Sequence, residues 1–220
     1  MTRGAVLMAL VALSACTTVG VHVPGARGRM DFGPPVELRV CVLRDESVST
    51  TRADALIAAV QAELESYGIR VRAARVDAWS RPGFFVGAIM DSLRARPLPA
   101  TCDRMLGLVG RNVADTLWSL ALPQVLGAVD STTATRGYVV AEVASIDQLI
   151  FSSPRTTAVH EVYHMLGCRH ALTKTACYRQ IQELKRAYAP GANFFPGVTG
   201  SGRPILTRRE AEARLSAPSP

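Results

Sequence analysis

The sequence predicts an α+β domain in which helices pack on a mixed, twisted sheet and a small C-terminal subdomain follows. Strand-like and helix-like segments alternate over residues 36–94, and several short apolar segments come next. That order is typical of a mixed sheet with helices packed on it. Hydrophobic residues make up 48% of the 220-residue chain, which suits one domain with a normal core.

The first four elements are predicted from hydrophobic spacing. Apolar and polar residues alternate over 36–43 and again over 69–76, as they do in strands. Between them, apolar residues recur at helical spacing over 52–67, and Gly68 is expected to end that helix. A shorter helical pattern covers 84–94.

Three short strands and a helix are expected next. The strands cover 105–109, 125–129 and 137–143. The helix begins at Pro154, a residue that fits the first helical position, and Ser153 is its expected N-cap.

The last part of the chain is expected to contain a helix over 178–187 and a Gly- and Pro-rich loop over 190–204. A final short helix follows, and Thr207 begins a capping box for it. We therefore assign 36–190 to the main domain and 191–220 to a C-terminal loop and short helix.

The N-terminal residues 1–15 have the pattern of a signal peptide, in which Arg3 precedes an apolar stretch too short to span a bilayer. The stretch ends in Leu-Ser-Ala before Cys16, which resembles the lipobox of bacterial lipoproteins. The resemblance implies lipid on Cys16, and Thr17 after it implies the outer membrane, facing the periplasm or the exterior. The alternative is an ordinary secretory signal with an incidental Cys16. Residues 16–35 are expected to form the lipid-anchored tether.

The formal net charge of +7 comes from scattered Arg residues and not from a basic block. A nucleic-acid-binding surface would normally combine a Lys/Arg patch with interleaved aromatic residues. The charge therefore indicates a solvated basic surface, and we expect a monomer with no nucleic-acid partner.

Four further cysteines remain if Cys16 carries lipid, namely Cys41, Cys102, Cys168 and Cys177. An even number in an exported protein indicates disulfides, and four cysteines allow three connectivities. Free buried thiols are the alternative. A second metal site is disfavoured, because the sequence contains no Cys-x-x-Cys pair.

Three of the four histidines in the chain lie in one short segment. His160 and His164 are four residues apart, so on a helix they project from one face and can bind one metal ion. Gly167 then turns the chain, which lets His170 supply a third nitrogen. Three imidazoles leave one position of a tetrahedral Zn²⁺ ion open for water, and Glu161 is placed to take a proton from that water.

The pattern His-Glu-x-x-His-x-x-Gly-x-x-His in this segment resembles the metzincin clan of zinc peptidases. The resemblance implies a zincin-like fold, zinc ligation by His160, His164 and His170, and Glu161 as the general base. It also implies that 125–129 is an edge strand on which an extended substrate pairs. The archaemetzincin-like branch is the nearest, since its members are small and lack a large pro-domain.

The sequence departs from the metzincin pattern downstream of the motif. Metzincins carry a Met-turn beneath the metal, after the third histidine, and this chain has no Met after Met165. We expect Tyr178 to take that place, because it lies close to where a compact member would carry the methionine. The archaemetzincin cysteine pattern is also missing.

The metzincin resemblance also implies a disulfide pairing. The metzincin sheet would place the strands near Cys41 and Cys102 side by side, which implies a bridge between them. A bridge between Cys168 and Cys177 would then brace the loop that carries His170.

These expectations lead to a zinc-dependent peptidase of the bacterial cell envelope that binds one Zn²⁺ ion and acts on a peptide or protein substrate. A non-catalytic, zinc-containing lipoprotein is the alternative from another class, although Glu161 would then have no role. Cleavage of a cell-wall peptide by a zinc amidase is a third hypothesis, which an envelope location permits.

Overall fold

The computed structural model describes residues 19–83, 85–111, 125–142 and 153–217. The expected signal peptide (1–15) and the expected lipid site at Cys16 lie outside these residues, so both remain predictions. Within the described ranges, no helix combines the length and the apolar character needed to cross a membrane.

A five-stranded sheet forms the centre of the fold. Its strands lie in the order β2-β1-β3-β5-β4. They are β1 (Val36–Asp45), β2 (Ile69–Trp79), β3 (Arg104–Val109), β4 (Gly127–Val129) and β5 (Arg136–Val140). The first three and β5 run parallel, and β4 pairs antiparallel with β5 at the edge of the sheet. The predicted mixed sheet and α+β class are confirmed.

Six helices occur in the described part of the chain, and a small hairpin lies near its end. The helices are α1 (Pro24–Gly28), α2 (Thr50–Leu64), α3 (Val86–Arg94), α4 (Pro154–Met165), α5 (Thr175–Ala187) and α6 (Arg208–Ser216). The hairpin pairs β6 (Gly197–Val198) with β7 (Pro204–Ile205). The segment 190–204, which was expected to be only a loop, therefore contains a strand.

The sheet separates two apolar cores. Along β1, Val40 and Val42 belong to the core that includes α2, α4 and α5, whereas Cys41 and Leu43 belong to the core that includes α3 and α6. This alternation is the period-two pattern of a strand buried on both faces. As a result, α4 lies on one face of the sheet, where it contacts α2, β5 and the edge strand β4.

The local sequence determines both ends of α4. At its start, the Ser153 hydroxyl accepts a hydrogen bond from the Thr156 N–H at 3.2 Å, and Pro154 occupies the first turn. After its end, Gly167 adopts a φ of +79°, a left-handed conformation that glycine reaches at low cost. Both predictions are confirmed, and the turn at Gly167 separates His170 from the helix.

The observed boundaries of other elements differ from the predicted ones by a few residues. The helix expected over 52–67 begins earlier, at Thr50, because the Ser49 side chain caps it. Its last turn tightens into a 3₁₀ turn (Glu65–Tyr67), and Gly68 ends it in a left-handed conformation, as predicted.

The segment expected to be a tether packs on the domain from Val19 onward. The Val19 side chain is 1% exposed and belongs to the same core as α4. Val21 forms a β-bridge with Thr173, and α1 follows. We therefore correct the extent of the tether, since residues 19–35 find partners on the domain surface; residues 16–18 lie outside the described part.

Both expected disulfides are present. The bridge between Cys41 and Cys102 links β1 to the loop before β3. The bridge between Cys168 and Cys177 links the turn after α4 to α5, so it encloses the loop that carries His170. The expected pairing is confirmed. The bridge between Cys41 and Cys102 can form because β1 lies beside β3 in the sheet.

Candidate metal centre

Three histidine side chains converge beside the C-terminal end of α4. His160 and His164 lie on one face of this helix, and their Nε2 atoms are 3.0 Å apart. His170 approaches them from the loop after Gly167. One ligand nitrogen from each histidine lies within 4.8 Å of the others. The structure thus brings the three predicted ligands together as a group that could hold a metal ion.

A hydrogen bond orients the His164 ring. Its Nδ1 lies 2.7 Å from the carbonyl oxygen of Cys168. Because a carbonyl can only accept, we assign the proton to Nδ1, which leaves the Nε2 lone pair directed at the other two rings. Burial, together with the nearby His170, lowers the pKa of His164, while the Cys168 contact acts in the opposite direction. The neutral imidazole is the form that binds metal.

The donor set fits a transition-metal ion of the zinc type. Imidazole nitrogens suit such ions, whereas Mg²⁺ and Ca²⁺ prefer oxygen ligands. His160 and His164 are half-buried and His170 is exposed, so the group opens on one side. That side faces a cavity of about 380 Å³. An open position is what separates a catalytic zinc site from a closed structural one.

Glu161 lines the same cavity as the three histidines and lies against the edge strand β4. Its side chain is 6% exposed. A Cβ atom added at Gly127 would lie 2.5 Å from Cγ and 2.7 Å from Oε1 of Glu161. The missing side chain at Gly127 therefore lets β4 pass directly over the carboxylate. Sequence reasoning missed Gly127, although a glycine within a strand pattern can mark a close backbone approach.

Burial changes the titration of two groups at this site. It raises the pKa of Glu161 to about 8. On β5, burial and then the charge of Glu161 raise the pKa of Tyr138 to about 12. A cation bound by the three histidines would favour the ionised carboxylate of Glu161 and so act against the effect of burial.

The backbone of β4 lines the cavity along the edge of the strand that is not paired with β5. Within the described residues, β4 is the last strand of the sheet. The Val140 N–H donates to the carbonyl oxygen of Leu126 at 2.7 Å, and hydrogen-bonded pairs alternate along an antiparallel ladder. Gly127 and Val129 therefore direct their N–H and C=O groups away from β5. The predicted edge position of this strand is confirmed.

The hairpin of β6 and β7 also contributes to the lining of the cavity. Val198, Thr199 and Gly200 line it. Val198 is buried, and it packs on the turn after α4, since a Cβ atom added at Gly167 would lie 2.7 Å from Cγ1 of Val198. Val198 therefore covers the turn after α4 with an apolar side chain.

A buried arginine holds the chain before this hairpin against α4. The Arg104 guanidinium donates to the carbonyl oxygens of Met165 and Phe195, each at 3.1 Å, and to that of Pro196. Burial lowers the pKa of Arg104 to about 10. Its donors are matched by carbonyl acceptors, which reduces the cost of burying the charge. Arg104 carries no recognisable motif, so sequence reasoning missed it.

Tyr178 does not line the cavity beside the three histidines, and its expected place beneath the metal stays a prediction. Its buried hydroxyl lies 2.6 Å from His22 Nδ1 and accepts a hydrogen bond from the Val23 N–H at 3.0 Å. Its ring centroid lies 5.9 Å from that of Tyr67. The register of α5 thus turns Tyr178 into the core.

The histidine group is compatible with a zinc site on the basis of its donor atoms and their positions. No protein-family model and no curated protein sequence matches this chain.

Proposed function

We propose that this chain is a zinc-dependent metallopeptidase in which His160, His164 and His170 bind one Zn²⁺ ion. The observation that carries the proposal is the position of Glu161, a buried carboxylate that lines the same cavity as the three histidines and lies against the edge strand β4. A site that only binds metal does not need a carboxylate there. The metzincin-like spacing of the motif supports the same function.

When bound, zinc supplies a Lewis acid that polarises the substrate carbonyl and lowers the pKa of a water molecule. Gly127 and Val129 bind an extended peptide through their outward backbone groups. Glu161 accepts a proton from the attacking water as its oxygen bonds to the carbonyl carbon. Glu161 then donates that proton to the amine as the C–N bond breaks. Val198, which packs against the turn at Gly167, is proposed to take the role that the Met-turn methionine has in metzincins.

The same chain is proposed to be held at the bacterial cell envelope by acyl chains on Cys16. The lipobox-like residues before Cys16 support the anchor. The two disulfides support export, because disulfides persist mainly in oxidising compartments. The substrate is then a peptide or protein that reaches the envelope.

Turnover by a Glu161→Gln variant tests the proposed reaction. The variant should keep zinc and lose about 100- to 10,000-fold in kcat, the usual contribution of a positioned acid–base group. The measurement is cleavage of a broad peptide library by the zinc-loaded full chain. Glu65→Gln is the matched control, since it removes an exposed carboxylate on the 3₁₀ turn after α2 and should leave turnover unchanged.

Each of the other outcomes would exclude one assignment or favour one alternative function. Wild-type turnover by Glu161→Gln would exclude Glu161 as the general base. Zinc binding without cleavage of any peptide would favour the non-catalytic lipoprotein. Cleavage confined to cell-wall peptides would favour the zinc amidase.

A further inference from the structure

We propose that the surface formed by residues 19–23 and 171–174 rests on an anionic lipid bilayer and holds the metal centre at the membrane surface. The proposal rests on the lipid anchor proposed above, because the anchor brings this surface to the bilayer. Residues 19–23 are called the N-terminal segment below, and the two stretches together are called the docking surface.

The N-terminal segment is bound firmly to the loop after His170. The Val21 N–H donates to the carbonyl oxygen of Leu172 at 3.0 Å, and the Lys174 N–H donates to that of Val21 at 2.9 Å. Val19 is buried in the core. The chain therefore leaves the domain toward its N-terminus beside this loop.

Little chain separates the proposed lipid from this point of attachment. Three residue steps lie between Cys16 and Val19, and a fully extended chain covers about 11 Å in three steps. A lipid on Cys16 therefore places the docking surface within about 11 Å of the headgroup region, plus the length of the Cys16 side chain. A freely swinging domain would need a much longer linker.

Two large apolar side chains project from the docking surface. Leu172 is 86% exposed and Val21 is 61% exposed. They lie side by side, since the backbone groups of these two residues are hydrogen-bonded to each other. Exposed leucine at a loop tip is unfavourable in water but favourable at the boundary between headgroups and acyl chains.

The sequence stretches that contain and flank the docking surface carry a positive charge, which suits anionic headgroups. The stretches 19–30 and 169–181 contain no Asp or Glu. They contain five cationic residues, namely Arg27, Arg29, Arg169, Lys174 and Arg179. Lys174 is buried and paired with Glu63, so the arginines supply the surface charge. Basic residues next to an anchored apolar group are typical of contact with anionic lipid.

The position of this surface limits the substrates of the proposed peptidase. Leu172 follows the metal ligand His170 by two residues, so docking holds the histidine group close to the bilayer. The substrates it reaches are peptide segments at the membrane surface, including those of neighbouring membrane-anchored proteins.

Tryptophan quenching by lipid tests the docking surface. The full chain is purified from membranes, its acylation is confirmed by palmitate labelling, and it is placed in vesicles of phosphatidylethanolamine and phosphatidylglycerol with brominated acyl chains. Leu172→Trp adds emission that the bromines should largely quench. Leu206→Trp is the matched control, because Leu206 is 55% exposed and follows a residue of the core on the other face of the sheet, and its added emission should persist.

The outcomes distinguish a failure of the proposed docking from a failure of the proposed lipid anchor. Quenching of Leu172→Trp and of a second variant, Val21→Trp, but not of Leu206→Trp, supports docking. A labelled protein in which neither docking residue is quenched retains the anchor and overturns the docking. Equal quenching at Leu206→Trp also overturns it. A protein that takes up no palmitate overturns the anchor, and the docking inference falls with it.

Discussion

Gly127 lies so close to Glu161 that any side chain at this position would overlap the carboxylate. Because β4 is held by its ladder to β5, the strand cannot easily withdraw, and the carboxylate would have to move. The three histidines lie on α4 and the loop after it, and the atoms nearest to the added Cβ all belong to Glu161, so the histidines should keep their positions. A substitution at Gly127 can therefore shift the Glu161 carboxylate without removing it.

We expect Gly127→Ala to lower peptide turnover by about 100-fold while zinc binding is retained, since a shift of about 1 Å in a reacting group has an effect of that size. The measurement is kcat alongside zinc content. Gly87→Ala is the matched control, because an added Cβ there would meet no atom within 4 Å. Turnover of Gly127→Ala equal to that of Gly87→Ala would show that the contact does not position Glu161.

Glu63 belongs to a polar cluster behind α4 that the proposed reaction does not use. Burial by itself would raise its pKa, but the hydrogen bond from Tyr163, the charge of Lys174 and the nearby His22 outweigh burial, so the pKa of Glu63 is lowered. Tyr67 continues the cluster, with its hydroxyl 2.9 Å from that of Tyr163. The fold therefore favours the ionised carboxylate of Glu63.

A carboxyl group with a lowered pKa stabilises the fold above its unfolded pKa, and this contribution is lost as the pH falls through the folded pKa. We expect the free energy of unfolding of the wild type to decrease on acidification below about pH 5, and to decrease less in Glu63→Gln. Denaturant titrations across this range measure it, with Glu65→Gln as the exposed control. Identical acid dependence in wild type and Glu63→Gln would contradict the role of Glu63.

At the scale of elements, the N-terminal segment acts as part of the site's support. Gly20 has a φ of +136°, and an added Cβ would lie 2.7 Å from the carbonyl carbon of Thr173 and 2.8 Å from the oxygen of Ala171. The segment can lie against the His170 loop only because this position lacks a side chain. Disturbing Gly20 should therefore loosen the loop that carries His170.

We expect Gly20→Ala to lower the free energy of unfolding by about 1–3 kcal/mol, the usual cost of a strained backbone position, and to weaken zinc binding. Denaturant unfolding and zinc titration measure the two effects. Gly28→Ala serves as control, because a Cβ at Gly28 meets no atom within 4 Å. If Gly20→Ala and Gly28→Ala are equally stable and bind zinc equally, the segment does not support the loop.

Elements whose limits depend on neighbours in sequence could be predicted, and those that depend on distant contacts could not. Ser153, Pro154 and Gly167 determine α4 through local capping and a left-handed turn, so its ends were predicted correctly. The packing of residues 19–35 depends on partners such as Tyr178, more than a hundred residues away. Apolar spacing in a short Gly- and Pro-rich stretch carries no signal for such contacts.

At the scale of the whole molecule, the three histidines could be predicted because their spacing encodes their geometry, but the walls of the cavity could not. Val198 and Arg104 come from the hairpin and from β3, and only the assembled fold brings them to α4. Tyr178 was expected near the metal from its distance in sequence alone. That distance does not determine on which side of α5 a side chain lies.

The two disulfides connect the parts on which the site depends. One fastens β1 to the chain entering β3, directly before Arg104, and the other closes the loop around His170. The histidine group therefore sits on a helix and a bridged loop, beside a sheet edge, and each of these is held by its own contacts. Such preorganisation suits a site in which ligands must keep fixed positions.

The zinc content of the purified full chain tests the central claim most directly. Elemental analysis should find one zinc ion per chain in the wild type, and His164→Ala or His170→Ala should lose it. His22→Gln replaces the only other histidine and should retain the zinc. A wild-type chain that binds no zinc after incubation with the metal, or zinc content unchanged in both ligand variants, would contradict the account.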